Sequence, residues 1–135
     1  DVDELADRTF PVAAEKVCAR TMRQVDALPP PSTARTATER AEVVEQADRL
    51  LRSMVDELRG IAPAGNDRAS AGVREWVDDW GRHVADRSRY AATLRKDADA
   101  RFLESTKGTR QLSRAIDGFA EVNRMDSCAT PGDVG

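Results

Sequence analysis

Residues 36–61, TATERAEVVEQADRLLRSMVDELRGI, decide the fold. Thr36, followed three residues later by Glu39, reads as a capping box. Its hydroxyl and carboxylate each satisfy a backbone N–H that a helix start leaves unpaired. Behind it Ala37, Ala41, Val44, Ala47, Leu51, Met54, Leu58 and Ile61 recur at steps of three and four. That spacing lays an apolar stripe along one face of an α-helix, the seam of a bundle. The seam predicts a helix over 37–60, about 36 Å long. The opposite face reads as solvated, with Glu42, Glu45 and Asp48 as ordinary surface. Glu45–Arg49 and Asp48–Arg52 sit there at i,i+4 spacing. Gly60 reads as the stop, and 61–66 as a turn and the next cap.

The same period appears on both sides of this stretch. Upstream, Ala14, Cys18, Met22, Val25 and Leu28 predict a helix over 11–28. Pro11 suits its first turn and Pro29-Pro30-Pro31 ends it. Downstream, Val73, Val77, Trp80, Val84, Ala91 and Leu94 make a seam over 67–96, with Trp76 on its flank. Either Arg87 or Ser88 stands where that seam expects an apolar residue. Leu112, Ile116, Phe119 and Val122 define a last helix ending near Met125. Between the third and fourth, Phe102 and Leu103 fit either a continuation of the third helix or a short one of their own. Ser105 to Thr109 breaks the pattern.

Four amphipathic helices predict an all-α fold, an antiparallel four-helix bundle with an irregular C-terminal tail. Composition agrees. The 135 residues suit one domain, and 4% aromatics with few glycines disfavour a sandwich or barrel. The divisions expected are 1–10 as a tether or helix extension, 11–128 as the bundle, and 129–135 as the tail. The first residue is Asp1, not Met, from which a signal peptide or membrane anchor is expected upstream. The Arg-over-Lys bias, with abundant Ala and Asp, points to a GC-rich genome.

Charge excludes some functions. Charged residues are 33% of the chain, both signs are interspersed, and the net charge is −3, which argues against nucleic-acid binding. One histidine excludes most zinc and di-iron chemistry, and the Glu-x-x-His pairs of a ferritin-like site are missing. With no Gly-rich phosphate loop either, no catalytic residue, metal ligand or cofactor is expected.

Cys18 and Cys128 are the two cysteines. In an antiparallel bundle the end of the fourth helix lies beside the start of the first, which brings them within reach of a disulfide. The bond would imply an oxidising compartment. The alternative is a small buried hydrophobe at Cys18 and a free thiol at Cys128.

The other constellation is Trp76, Trp80, His83 and Arg87, spaced four, three and four along one face. It is a candidate binding face, a cleft or a partner's anchor patch. The competing reading puts Trp80 in the core and Trp76 at its rim, with His83 and Arg87 reaching solvent. Asn123, near the inward face of the last helix, is expected to satisfy backbone groups there. Asp78 and Asp79 beside Arg82 and Arg74 read as a solvated face.

A helix with an early Cys18, the turn Leu28-Pro29-Pro30-Pro31, two long helices, and then Phe119-Ala120-Glu121-Val122-Asn123-Arg124-Met125-Asp126-Ser127-Cys128 resembles a group of actinobacterial envelope proteins. The likeness is strongest over 100–133. It implies an N-terminal membrane anchor and a small helical ectodomain outside the cytoplasmic membrane, and it carries no activity. The expected function is a non-catalytic extracytoplasmic interaction or scaffold module docking an envelope protein. The alternative is a carrier or sensor that holds a small apolar ligand between the helices.

Overall fold

The structure, a computed structural model, describes residues 1–134. It is the expected all-α bundle. Helix α1 spans Thr9–Asp26, α2 Ala37–Ile61, α3 Arg68–Leu94 and α4 Leu112–Val122. Helix α2 packs on α1 and on α3, and α4 packs on α3. Two single 3-10 turns, Pro31–Thr33 and Asp126–Cys128, follow α1 and α4. The second turn, not α4 itself, packs on α1 and closes the bundle there.

The caps are as local chemistry dictates. Thr36 Oγ1 accepts from Glu39 N at 3.0 Å as expected, but the Glu39 carboxylate accepts from Arg35 N, one residue before the N-cap, so only the hydroxyl half of the capping box forms. Gly60 does not stop α2, which runs one residue further to Ile61. The next helix is capped by Asp67 and not by Asn66: Asp67 Oδ2 accepts from Ser70 N at 3.1 Å. Helix α4 ends in a Schellman turn, with Met125 N bonded to Ala120 O at 2.8 Å and Arg124 at φ 55°.

Residues 95–111 correct the reading around Phe102. Leu103 is exposed, and the segment neither extends α3 nor makes a helix of its own. It ends in a two-residue hairpin, Thr106–Lys107 against Arg110–Gln111, turning at Gly108 with φ 62°. A 17-residue connection this long needs anchors to be ordered, and besides the packing of Phe102 they end on carboxylates. Asp86 accepts from Ser105 N and Oγ, and Lys107 pairs with Asp79. Glu104 accepts from Ser113 N and Oγ and so caps α4 from a distance.

Residues 1–8 belong to the domain. Asn123, fully buried, accepts from Leu5 N at 2.8 Å and donates to Asp3 O and Phe119 O. Arg8 donates to Asn123 O. The expected backbone-satisfying role of Asn123 is met, toward the first residues as well as its own helix.

Candidate functional site

Cys18 and Cys128 form a disulfide, with Cα atoms 5.1 Å apart and both side chains buried. Cys18 lies on the inward stripe of α1 and Cys128 in the turn after α4, so the bond ties that turn to the first helix. Its presence suggests an oxidising environment. No helix of the described residues is long and apolar enough to cross a membrane.

The face Trp76, Trp80, His83 and Arg87 is continuous but points inward. All four side chains are buried, and Arg87 is 0% exposed. Trp76 is not a rim residue. Its ring stacks on Phe119, meets Phe10 edge-on, and donates Nε1–H to Ile116 O at 3.1 Å. Trp80 donates to Cys128 O at 3.0 Å, so indole and disulfide fix the same turn. Each ring buries a large apolar area while its N–H finds a carbonyl, as a buried indole requires.

His83 and Arg87 do not reach solvent, because segments outside the helical pattern cover them. His83 is 2% exposed and lies edge-on to Trp80 and to Phe102 of the 95–111 segment. Neither ring nitrogen has a protein hydrogen-bond partner. Burial pushes its pKa below the ordinary value, and the Arg87 charge adds to this, against Glu104, Asp86 and Asp117.

Arg87 fills the place in the seam where an apolar residue was expected. Its Nε donates to Asp48 Oδ1 at 2.6 Å, while Nη1 and Nη2 donate to the two Asp133 oxygens at 2.6 and 2.9 Å. The fork geometry is the strong, bidentate kind. Burial alone would lower the guanidinium pKa, but the two carboxylates outweigh it and raise it. Burial pushes Asp48 upward, with Asp133 adding to this and Arg87 opposing it. Asp48 is therefore core and not surface, and its partner is Arg87 rather than Arg52. Glu45 likewise pairs with Arg95, just beyond α3, and not with Arg49. Asp79, read as solvated, is buried against Lys107, and Arg74 holds the α2–α3 turn through Pro63 O and Gly65 O.

Residues 129–134 are irregular in backbone but docked. Thr130 N and Oγ1 donate to Asp117, Asp133 reaches Arg87, and Val134 packs with Ala41, Val44, Ala91 and Leu94. Sequence reasoning missed Asp133, Asp86 and Asp117. The one visible signal was the polar residue interrupting the α3 seam.

Three surface clefts flank this interior. One of about 650 Å³ lies between α2 and α3, with Arg52, Arg59 and Arg82 over Val55 and Val84. A second, about 450 Å³, is lined by Leu5, Phe10, Ile61 and Val73. A third, about 490 Å³, runs between the proline turn and residues 131–133. Among the described residues no group of three or more His, Cys, Asp and Glu is placed to hold a metal ion. No known protein family, curated protein or solved structure matches the chain.

Proposed function

We propose that the chain is a non-catalytic protein-interaction or scaffold module that works outside the cytoplasm, at the cell envelope. The observation that carries this reading is how its chemistry-bearing side chains are used. The cysteines are locked to each other, and Arg87, Asp48, Asp86 and Asp79 each hold one segment of chain to another. Such side chains build a rigid body and leave docking to the surface. The disulfide supports the extracytoplasmic part. Support for the envelope is the resemblance over Cys18, Pro29–Pro31 and 119–128, and an envelope protein is the partner proposed.

The test takes protein from its native cells, quenched in acid and alkylated. A Cys18–Cys128 crosslinked peptide is the expected result, and two alkylated thiols overturn the location. The carrier reading has the cleft beside Leu5, Phe10 and Ile61 in its favour. Native mass spectrometry separates the two, since a co-purifying small mass selects the carrier and the bare chain mass the docking module.

A further inference from the structure

We propose that the pocket around Arg87 is a receptor for an acidic segment of a partner protein, an aspartate followed by a small aliphatic residue, and that residues 129–134 close it in cis. The proposal rests on the interaction-module reading and names the chemistry of its partner.

The receptor wall is helical and the occupant is not. Arg87 from α3 is held by Asp48 from α2, and Ala41, Val44, Ala91 and Leu94 from the same two helices make the apolar floor beside them. Asp133 and Val134 lie on this wall with no helix or strand of their own. Helix–helix packing therefore presents the guanidinium already oriented, with Nη1 and Nη2 left as a fork for one incoming carboxylate.

Charge counting makes the cis contact releasable. Arg87 and Asp48 neutralise each other, so the pocket without Asp133 holds a satisfied ion pair, not an orphaned charge. Asp133 adds a second anion to one cation, and its side chain stays 18% exposed where Asp48 is 3%. Its hold depends on tethering, together with the Thr130–Asp117 bonds and the packing of Val134. Only four residues separate it from the disulfide-fixed Cys128, which keeps its effective concentration at the pocket high.

A ligand in trans has room that the strap leaves unfilled. The cleft of about 490 Å³ has Pro131, Gly132 and Asp133 of the strap as one wall and Val25, Leu28 and Pro29–Pro31 as the other, and a segment that replaces the strap inherits the second wall. A partner segment that carries an apolar side chain into it gains contacts residues 129–134 do not make, and so displaces them.

The experiment uses the full chain with Asp133→Asn, which removes the strap's ion pair with Arg87, leaves its Thr130–Asp117 bonds, and keeps Arg87 and Asp48. The probe is a labelled heptapeptide with the sequence of residues 129–135, read by fluorescence polarisation. The Asp133→Asn protein is expected to bind it at least tenfold more tightly than the unaltered chain, and a peptide with Asn in place of Asp is expected not to bind. Equal binding to both proteins, equal binding of both peptides, or no binding at all overturns the receptor. So does exchange of the strap between two copies into a dimer that takes up no peptide.

Hydrogen exchange on the unaltered chain is the second measurement, independent of the variant's folding. Amides of 132–134 are expected to exchange at least a hundredfold faster than those of α2 and α3, and exchange at the core rate overturns the strap. These failures leave the Cys18–Cys128 result untouched, so loss of the receptor and loss of the extracytoplasmic reading are told apart.

Discussion

Trp80 and Arg87 stand two turns apart on α3, both fully buried, and each fastens residues beyond α4 to the helices. Around Trp80 the fastening is apolar and covalent. The indole fills the core, its N–H reaches Cys128 O, and the disulfide carries the same turn to α1. Around Arg87 it is ionic, through Asp48 and Asp133, with Asp86 one residue back holding Ser105. Away from the disulfide and the indole N–H, the packing of the apolar end would tolerate side chains of similar volume. The ionic end tolerates few, because removing one partner strands a charge away from water. The difference predicts where this fold is brittle and how it responds to pH.

The largest effect is expected at the apolar end. Replacing both cysteines, Cys18→Ala with Cys128→Ala, opens a loop whose ends are 110 residues apart, and chain entropy puts the loss near 4–5 kcal/mol. Urea unfolding measures it. A loss under 1 kcal/mol would mean that packing around Trp80 holds the turn without the bond, and the two ends would then differ less than drawn here.

Next comes the ionic end. Arg87→Met keeps most of the side-chain volume but leaves Asp48 and Asp133 facing each other in a buried site. The expected loss is about 3–5 kcal/mol. Adding Asp48→Leu and Asp133→Asn should return most of it, since the stranded charges go too. If the single variant unfolds no more easily than the parent, the pair contributes nothing and the contrast between the ends collapses.

How much of this was legible in the sequence follows the same division. Cys18, Val73, Trp80 and Ile116 repeat at helical spacing, so stripe and core could be read from the residues alone. The gap in the α3 seam at Arg87 was visible as well, but not what filled it. Asp133 lies 46 residues away in a stretch without period, and Asp86 meets Ser105 from a loop. Periodicity reports which face of a helix is inward. It is silent about irregular segments that come to cover a face, which is why neither reading of His83 and Arg87, as a binding face or a solvent-reaching flank, encloses them, and why Asp48 reads as surface. The rim reading of Trp76 fails for a related reason. A flank position becomes interior once Phe10 and Phe119 close over it.

Acid should separate the ends by about one proton. Burial holds the folded His83 pKa below its ordinary 6.5, so above that pH neither folded nor unfolded chain carries the proton and the residue is neutral to stability. As pH falls below 6.5 the unfolded chain takes the proton first. Stability then drops, by at most about 1.4 kcal/mol per pH unit for one group, until the folded pKa is reached. Arg87 on α3 opposes the charged ring, while Asp86, Glu104 and Asp117 from three segments favour it. Asp48, whose folded pKa is raised, works the other way and gains stability as pH falls through its own range. The informative quantity is therefore the difference between the parent and His83→Leu. Between pH 6.5 and 5 the parent should lose stability more steeply, and parallel curves would show that the imidazole is hydrated and not enclosed.

The smallest effect tests whether burial or charge makes Arg87 matter. Glu45 on α2 and Arg95, the residue that follows α3, make a two-pronged ion pair at 2.6 and 3.1 Å. Its fork matches the one Arg87 makes on Asp133, but its side chains are 34% and 40% exposed. Water already solvates both groups when the pair is broken, so Glu45→Gln should cost only a few tenths of a kcal/mol. That value, beside several for Arg87→Met, would attribute the difference to the enclosure supplied by Asp133, Val134 and the loop at Ser105. Equal losses at the two pairs would instead attribute it to the cross-helix charge contact itself. The irregular segments would then be ornaments on a bundle that α2 and α3 hold together unaided.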